Sequence, residues 1–109
     1  MAQDFERVLK SSINTSATEI RAAADSDDAI IGMRFANKGT TAVTVDATVK
    51  NSSVSYYLIK DAPIPAGGSL ELIDGGSKVV LQSGDSVEAL ASTGSAVDVI
   101  LSVVDSIST

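Results

Sequence analysis

Two short runs in this chain carry residue types that could do chemistry. Asp25-Ser26-Asp27-Asp28 gathers carboxylates closely enough for their oxygens to touch Ca²⁺. It lacks the twelve-residue loop and the distal Glu of an EF-hand, so a solvated turn is the better reading. Gly75-Gly76-Ser77-Lys78 has the look of the end of a phosphate-binding loop. The earlier glycine and the following helix of that motif are missing, and a hairpin turn accounts for the run. Asn14-Thr15-Ser16 and Asn51-Ser52-Ser53 fit the N-glycosylation pattern, but they too read as turns.

The residue types that are absent narrow the chemistry further. The chain has no His, which removes the commonest general base near neutral pH, the usual activator of a serine and the commonest metal ligand. It has no Cys, which removes disulfides, thiolate nucleophiles and cysteine metal sites. A carboxylate pair could still serve a glycosidase, but such sites need a deep cleft and aromatic platforms. Aromatic residues are 4% of this chain and none is Trp. The expectation is a protein with no enzymatic activity, no catalytic residues, no metal and no cofactor. A net charge of -6, with 8 scattered Lys and Arg residues, opposes binding to a phosphate backbone, so no nucleic-acid partner is expected. Met1-Ala2-Gln3-Asp4-Phe5-Glu6-Arg7 places acid where a signal peptide would be basic, and no later run is long enough to span a bilayer. Synthesis in a cytosol, with no membrane partner, is expected.

The elements that must hold these residues are short and extended. A chain of 109 residues suits one domain, whose core is built from Val, Ile, Leu and Ala. Burying a large aliphatic side chain yields about 1.5–3 kcal/mol, while ordering each residue costs about 1–2 kcal/mol in backbone entropy. The margin is thin, and contacts with other subunits would widen it. Residues 1–14 read as an N-terminal arm or first strand ordered by a partner, with Leu9, Ser11 and Ile13 on one side. Residues 15–109 read as a single β-sandwich domain. Ala17–Ala22 reads as a short strand, although the Ala-rich run Glu19–Ala24 also tolerates helix.

Alternation then marks strands in turn. Ala29, Ile31, Met33 and Phe35 share one face, with Ile30, Gly32, Arg34 and Ala36 on the other. After the turn Asn37-Lys38-Gly39-Thr40, Val43, Val45, Ala47 and Val49 repeat the pattern. Tyr56–Lys60 is a strand expected to stop at Asp61–Gly68, where two prolines lack the N–H a ladder needs. Ser69–Ile73 and Lys78–Gln82 flank a turn at Asp74-Gly75-Gly76-Ser77. Val87, Ala89 and Ala91 point one way in the next strand, and Val97, Val99, Leu101 and Val103 in the last. Turns every ten residues or so predict an all-β protein, an antiparallel, jelly-roll-like β-sandwich of eight or nine strands with a short N-terminal arm.

Several apolar residues fall on faces that should be wet. Ile100 and Val104 lie opposite the inward row of the last strand, Ile30 lies opposite Ile31 and Met33, and Tyr57 and Ile59 alternate with Tyr56 and Leu58. Scattered surface hydrophobes would explain them, as would faces covered by other chains. The candidate subunit-contact residues are Phe5, Val8, Ile30, Tyr57, Ile59, Ile100 and Val104.

Tyr56-Tyr57-Leu58-Ile59-Lys60-Asp61-Ala62-Pro63-Ile64-Pro65-Ala66-Gly67-Gly68-Ser69-Leu70-Glu71-Leu72, followed by Lys78-Val79-Val80-Leu81-Gln82-Ser83-Gly84-Asp85, resembles small accessory virion proteins of tailed bacteriophages. The likeness extends to Ile31-Gly32-Met33-Arg34-Phe35-Ala36-Asn37 and Val97-Asp98-Val99-Ile100-Leu101-Ser102-Val103. It implies a β-sandwich structural protein of the virion, made in the host bacterial cytoplasm. Within that group a capsid decoration or cement protein is expected, bridging neighbouring capsomers. Its partners would be itself, as a homotrimer, and the major capsid protein or another virion protein. A neck, tail or baseplate component is the alternative. A carbohydrate-binding module is a third reading; it would need a planar aromatic platform, for which only Tyr56, Tyr57, Phe5 and Phe35 are available.

Overall fold

Side chains that alternate apolar and polar every second residue can bury one face of a strand and wet the other, and two such faces packed together enclose a core. The computed structural model, which describes residues 4–21, 27–73 and 79–105, has that arrangement. Its strands are β1 (Asp4–Lys10), β2 (Thr18–Arg21), β3 (Asp28–Asn37), β4 (Val43–Asn51), β5 (Val54–Ile64), β6 (Ser69–Ile73), β7 (Val79–Leu81), β8 (Ser86–Ala91) and β9 (Val97–Asp105). One sheet runs β1-β9-β3-β6, with β7 also paired to β3; the other runs β2-β8-β4-β5. All pairs are antiparallel.

The core lies between the two sheets. Val97, Val99, Leu101 and Val103 of β9 meet Val87, Ala89 and Ala91 of β8 and Val43, Val45 and Ala47 of β4, all buried. Phe35 of β3 is the largest side chain enclosed there. One buried ion pair ties the sheets at an end of the sandwich: Arg21 of β2 holds the Asp28 carboxylate of β3, and donates from Nη1 to the Asp85 carbonyl at 3.0 Å.

Three expectations are corrected by tertiary pairing. In β3, Ile30 lies opposite Val103 and Gly32 opposite Ser102, so Ile31 is an extra residue in the ladder. Such a bulge reverses the parity of the strand. Ile30 therefore joins Met33 and Phe35 in the core at 0% exposure, while Ile31 is partly exposed, and Ile30 is no surface contact.

The strand expected to end before the prolines continues as β5 to Ile64, through Pro63. Pro63 is tolerated because β5 borders its sheet and pairs only with β4, leaving the missing N–H off the ladder. Asp61 bulges there at φ 55°, its N–H bonded to Asp46 Oδ1 at 2.8 Å.

The N-terminal segment takes the form of a first strand. β1 pairs with β9 without a register shift, from Asp4 opposite Asp105 to Lys10 opposite Val99. The side shared by Leu9, Ser11 and Ile13 is broken at Ser12, whose φ of 55° turns the chain, leaving Leu9 56% exposed and Ile13 buried. The turn expected at Asp74-Gly75-Gly76-Ser77, the adjoining Lys78 and the Asp25-Ser26 half of the acidic run lie outside the described residues.

Candidate interaction surface

Because β9 turns Val97, Val99, Leu101 and Val103 inward, Asp98, Ile100, Ser102 and Val104 line the outer face of the first sheet. Residues directly opposite each other in a ladder share a face. The register therefore sets Phe5 beside Val104, Arg7 beside Ser102 and Leu9 beside Ile100. Phe5 is 80% exposed and Ile100 43%, and with Leu9 and the partly exposed Val104 they form two apolar pairs separated by Arg7 and Ser102. A shallow groove lined by Phe5, Arg7, Ile31 and Ser102 indents this face, and another is lined by Leu9, Lys10, Asp98 and Ile100.

Polar groups rim the apolar pairs. Arg34 and Glu71 form an exposed ion pair at 2.9 Å, and Lys38 approaches Asp98 to 3.0 Å. The Ser12 N–H, donated to Asp98 at 2.8 Å, is the main reason this carboxyl stays below its ordinary value of 3.8; slight burial opposes the shift and Lys38 assists it. These ion pairs flank the apolar pairs.

The seven candidate contact residues do not form one surface. Phe5, Ile100 and Val104 come together on this face. Tyr57 lies on the outer face of the opposite sheet, beside Thr48, with Lys60 Nζ 5.3 Å from the centre of its ring. Ile59 is opposite Ala47 and packs against the core, because a register irregularity at Leu58 separates it from Tyr57. Val8 is opposite Leu101 and also packs inward. Ile30 is inside the core. Leu9, Val54, Tyr56 and Val80 are exposed apolar residues that sequence reasoning missed. Only the pairing of Leu9 with Ile100 reveals its face, and that is a long-range fact.

A hollow on the second sheet gathers Asp46, Thr48, Ser55, Tyr57 and Glu88 beside the apolar Ala17, Ala89 and Leu90. Its carboxylates already have company: Asp46 accepts the Asp61 N–H and lies 4.0 Å from Lys60, and Glu88 lies 4.0 Å from Lys50. Tyr56 and Tyr57, opposite Val49 and Thr48, project to opposite sides of β5 and make no common platform. Phe35 is buried and Phe5 belongs to the other sheet. Within the acidic run, Asp27 accepts the Ser83 N–H at 3.0 Å and Asp28 pairs with Arg21, so both serve the fold. Among the described residues no three potential metal ligands converge.

No family model and no curated protein matches the chain. Solved structures do. A chain of the Bacillus endospore appendages, which form a family of disulfide-linked pili, aligns with a TM-score of 0.56 at 16% identity, over 98% of this chain and 88% of that one. The infectious bursal disease virus VP2 subviral particle aligns with a TM-score of 0.53 at 9% identity, over 94% of this chain and 32% of that one. The fold is an antiparallel β-sandwich. At such identities the likeness is one of fold, so the pattern of exposed residues carries what is specific to this sandwich.

Proposed function

We propose that this protein is a structural subunit of a multi-chain particle, and specifically a bacteriophage capsid decoration protein that bridges neighbouring capsomers. The observation that carries the reading is the outer face of the first sheet, where Phe5, Leu9, Ile100 and Val104 meet water beside an open sheet border. Exposed apolar pairs within a polar rim are what a surface covered by protein requires. The fold shared with a pilus protein and a viral particle protein supports it, and the expectation drawn above from the resemblance to accessory virion proteins of tailed phages points the same way. Unlike the disulfide-linked pili, this chain has no Cys, so disulfides cannot join its copies. The partners in this reading are further copies of itself and the major capsid protein, and the site of action is the virion.

Labelling the protein in intact purified virions tests the reading. Label over the head, with shells that break at lower temperature or osmotic stress once the protein is stripped, is the expected result. Label at the neck, tail or baseplate would move the protein to that alternative, and its absence from particles would overturn the structural reading.

A further inference from the structure

Five strands border the two sheets, and four of them are poor templates for another chain. β2 has four residues and an irregular register, β6 has five and a register shift, β7 has three, and β5 carries Pro63 and the Asp61 bulge. Short, bulged or proline-bearing borders resist strand addition. β1 is different: seven residues, no Gly or Pro, and a regular ladder to β9 behind it.

We propose that β1 pairs antiparallel with β1 of a second copy about a two-fold axis at Arg7, joining the two first sheets into one. The inference rests on the structural-subunit reading and names its self-contact. In a continuous sheet, outward residues must lie opposite outward residues, so Phe5, Arg7 and Leu9 can only face one another. A register centred on Glu6 sets Phe5 opposite Arg7 and Asp4 opposite Val8, breaking the apolar pairing, and one centred on Val8 carries Phe5 past the end of the strand. The register centred on Arg7 pairs all seven positions. Phe5 lies opposite Leu9 of the second copy, Asp4 opposite its Lys10, and Glu6 opposite its Val8, each of these twice. Two apolar rows then cross the junction, each running Ile100, Leu9, then Phe5 and Val104 of the second copy. The acidic start of the strand meets the basic end of its copy. Arg7 opposite Arg7 is the like-charge pair, and like charges directly opposed weaken a ladder.

The Cys-free sequence makes the register directly testable. Directly opposed residues have Cα atoms about 4.5–5.5 Å apart, within disulfide reach, while Phe5 and Phe5 of the second copy would be roughly 14 Å apart. After mild oxidation, Arg7→Cys is expected to give a band at twice the 11.1 kDa chain mass on a non-reducing gel. An equimolar mixture of Phe5→Cys and Leu9→Cys should do the same, and Phe5→Cys alone should not. Arg7→Thr, which removes the opposed charges without touching the core, should tighten association several-fold by analytical ultracentrifugation. Exclusive cross-linking of Phe5→Cys with itself, a trimer lacking the Arg7→Cys cross-link, or a monomer at every concentration would overturn the proposal. Protein found in virions without these cross-links would sink this contact and leave the structural reading standing; the cross-links without virion incorporation would do the reverse.

Discussion

Asn37, at the end of β3, is 2% exposed and satisfies its amide on every side. Its Nδ2 reaches the carbonyls of Thr41 at 2.9 Å, Ile64 at 3.1 Å and Pro65 at 3.2 Å, while Oδ1 accepts the Gly39 N–H at 2.9 Å. One side chain thus closes the β3–β4 turn and pins the end of β5 to it. Asn37→Leu keeps the branched outline, though bulkier, and removes the partner of the buried Ile64 carbonyl, and urea unfolding should register a loss of about 2–3 kcal/mol. The Arg21–Asp28 pair behaves differently, because two buried charges compensate each other. Arg21→Met alone should destabilise by about 3–5 kcal/mol, because the buried Asp28 carboxylate loses a counter-charge, and Arg21→Met with Asp28→Leu should recover most of that loss. Asp98 contributes through pH. Its folded value is lowered, so its contribution is fully present above the ordinary carboxylate value and drains away as pH falls through the lowered one. Asp98→Asn should lower Tm at pH 7, where the ionised carboxylate contributes in full, and flatten the acid limb of a plot of Tm against pH, so that the two proteins converge as the pH falls.

At the scale of elements, the β4–β5 connection is a two-residue hairpin made from unfavourable residues. Asn51 pairs with Val54, and between them Ser52 and Ser53 both hold positive φ, at 51° and 67°. Turns of this kind favour Asn-Gly, since a Cβ is strained at such angles. Ser52→Asn with Ser53→Gly should raise stability by about 1 kcal/mol, seen as a higher Tm with the fold unchanged.

Much of the sandwich was readable from alternation alone where a strand has no bulge. β8 and β9 bury the residues their spacing names, and β4 does so through Ala47 before Val49 drifts to the margin. Parity was lost where one residue is inserted. Ile30 and Ile31 are both apolar, so nothing local says which enters the core; Val103, more than seventy positions away, makes that choice through the ladder. The same holds for Tyr57 and Ile59, which share a side only if Leu58 is regular. Pro63 ends a strand by local rules, and only the place of β5 at a border, a property of the assembled sheet, permits it. The candidate surface was half legible for this reason: Ile100 and Val104 follow from β9 alone, whereas Leu9 needs its neighbour across β1.

The whole molecule is two sheets with one unprotected regular border, and the position of β9 gives that border a history. β9 is the last of the described strands and lies inside its sheet, between β1 and β3. Pairing Asp4 with Asp105 closes a loop of nearly the full chain, and contacts so distant form slowly. On the ribosome, β1 emerges first and waits longest for the strand that will cover it. During that interval an identical strand on an adjacent nascent chain of the same polysome competes for it, so the order of translation sets whether self-recognition precedes or follows closure of the sheet. Chains stalled before Val97 should leave the β1 and β3 amides open to hydrogen exchange, and release through residue 105 should protect both together.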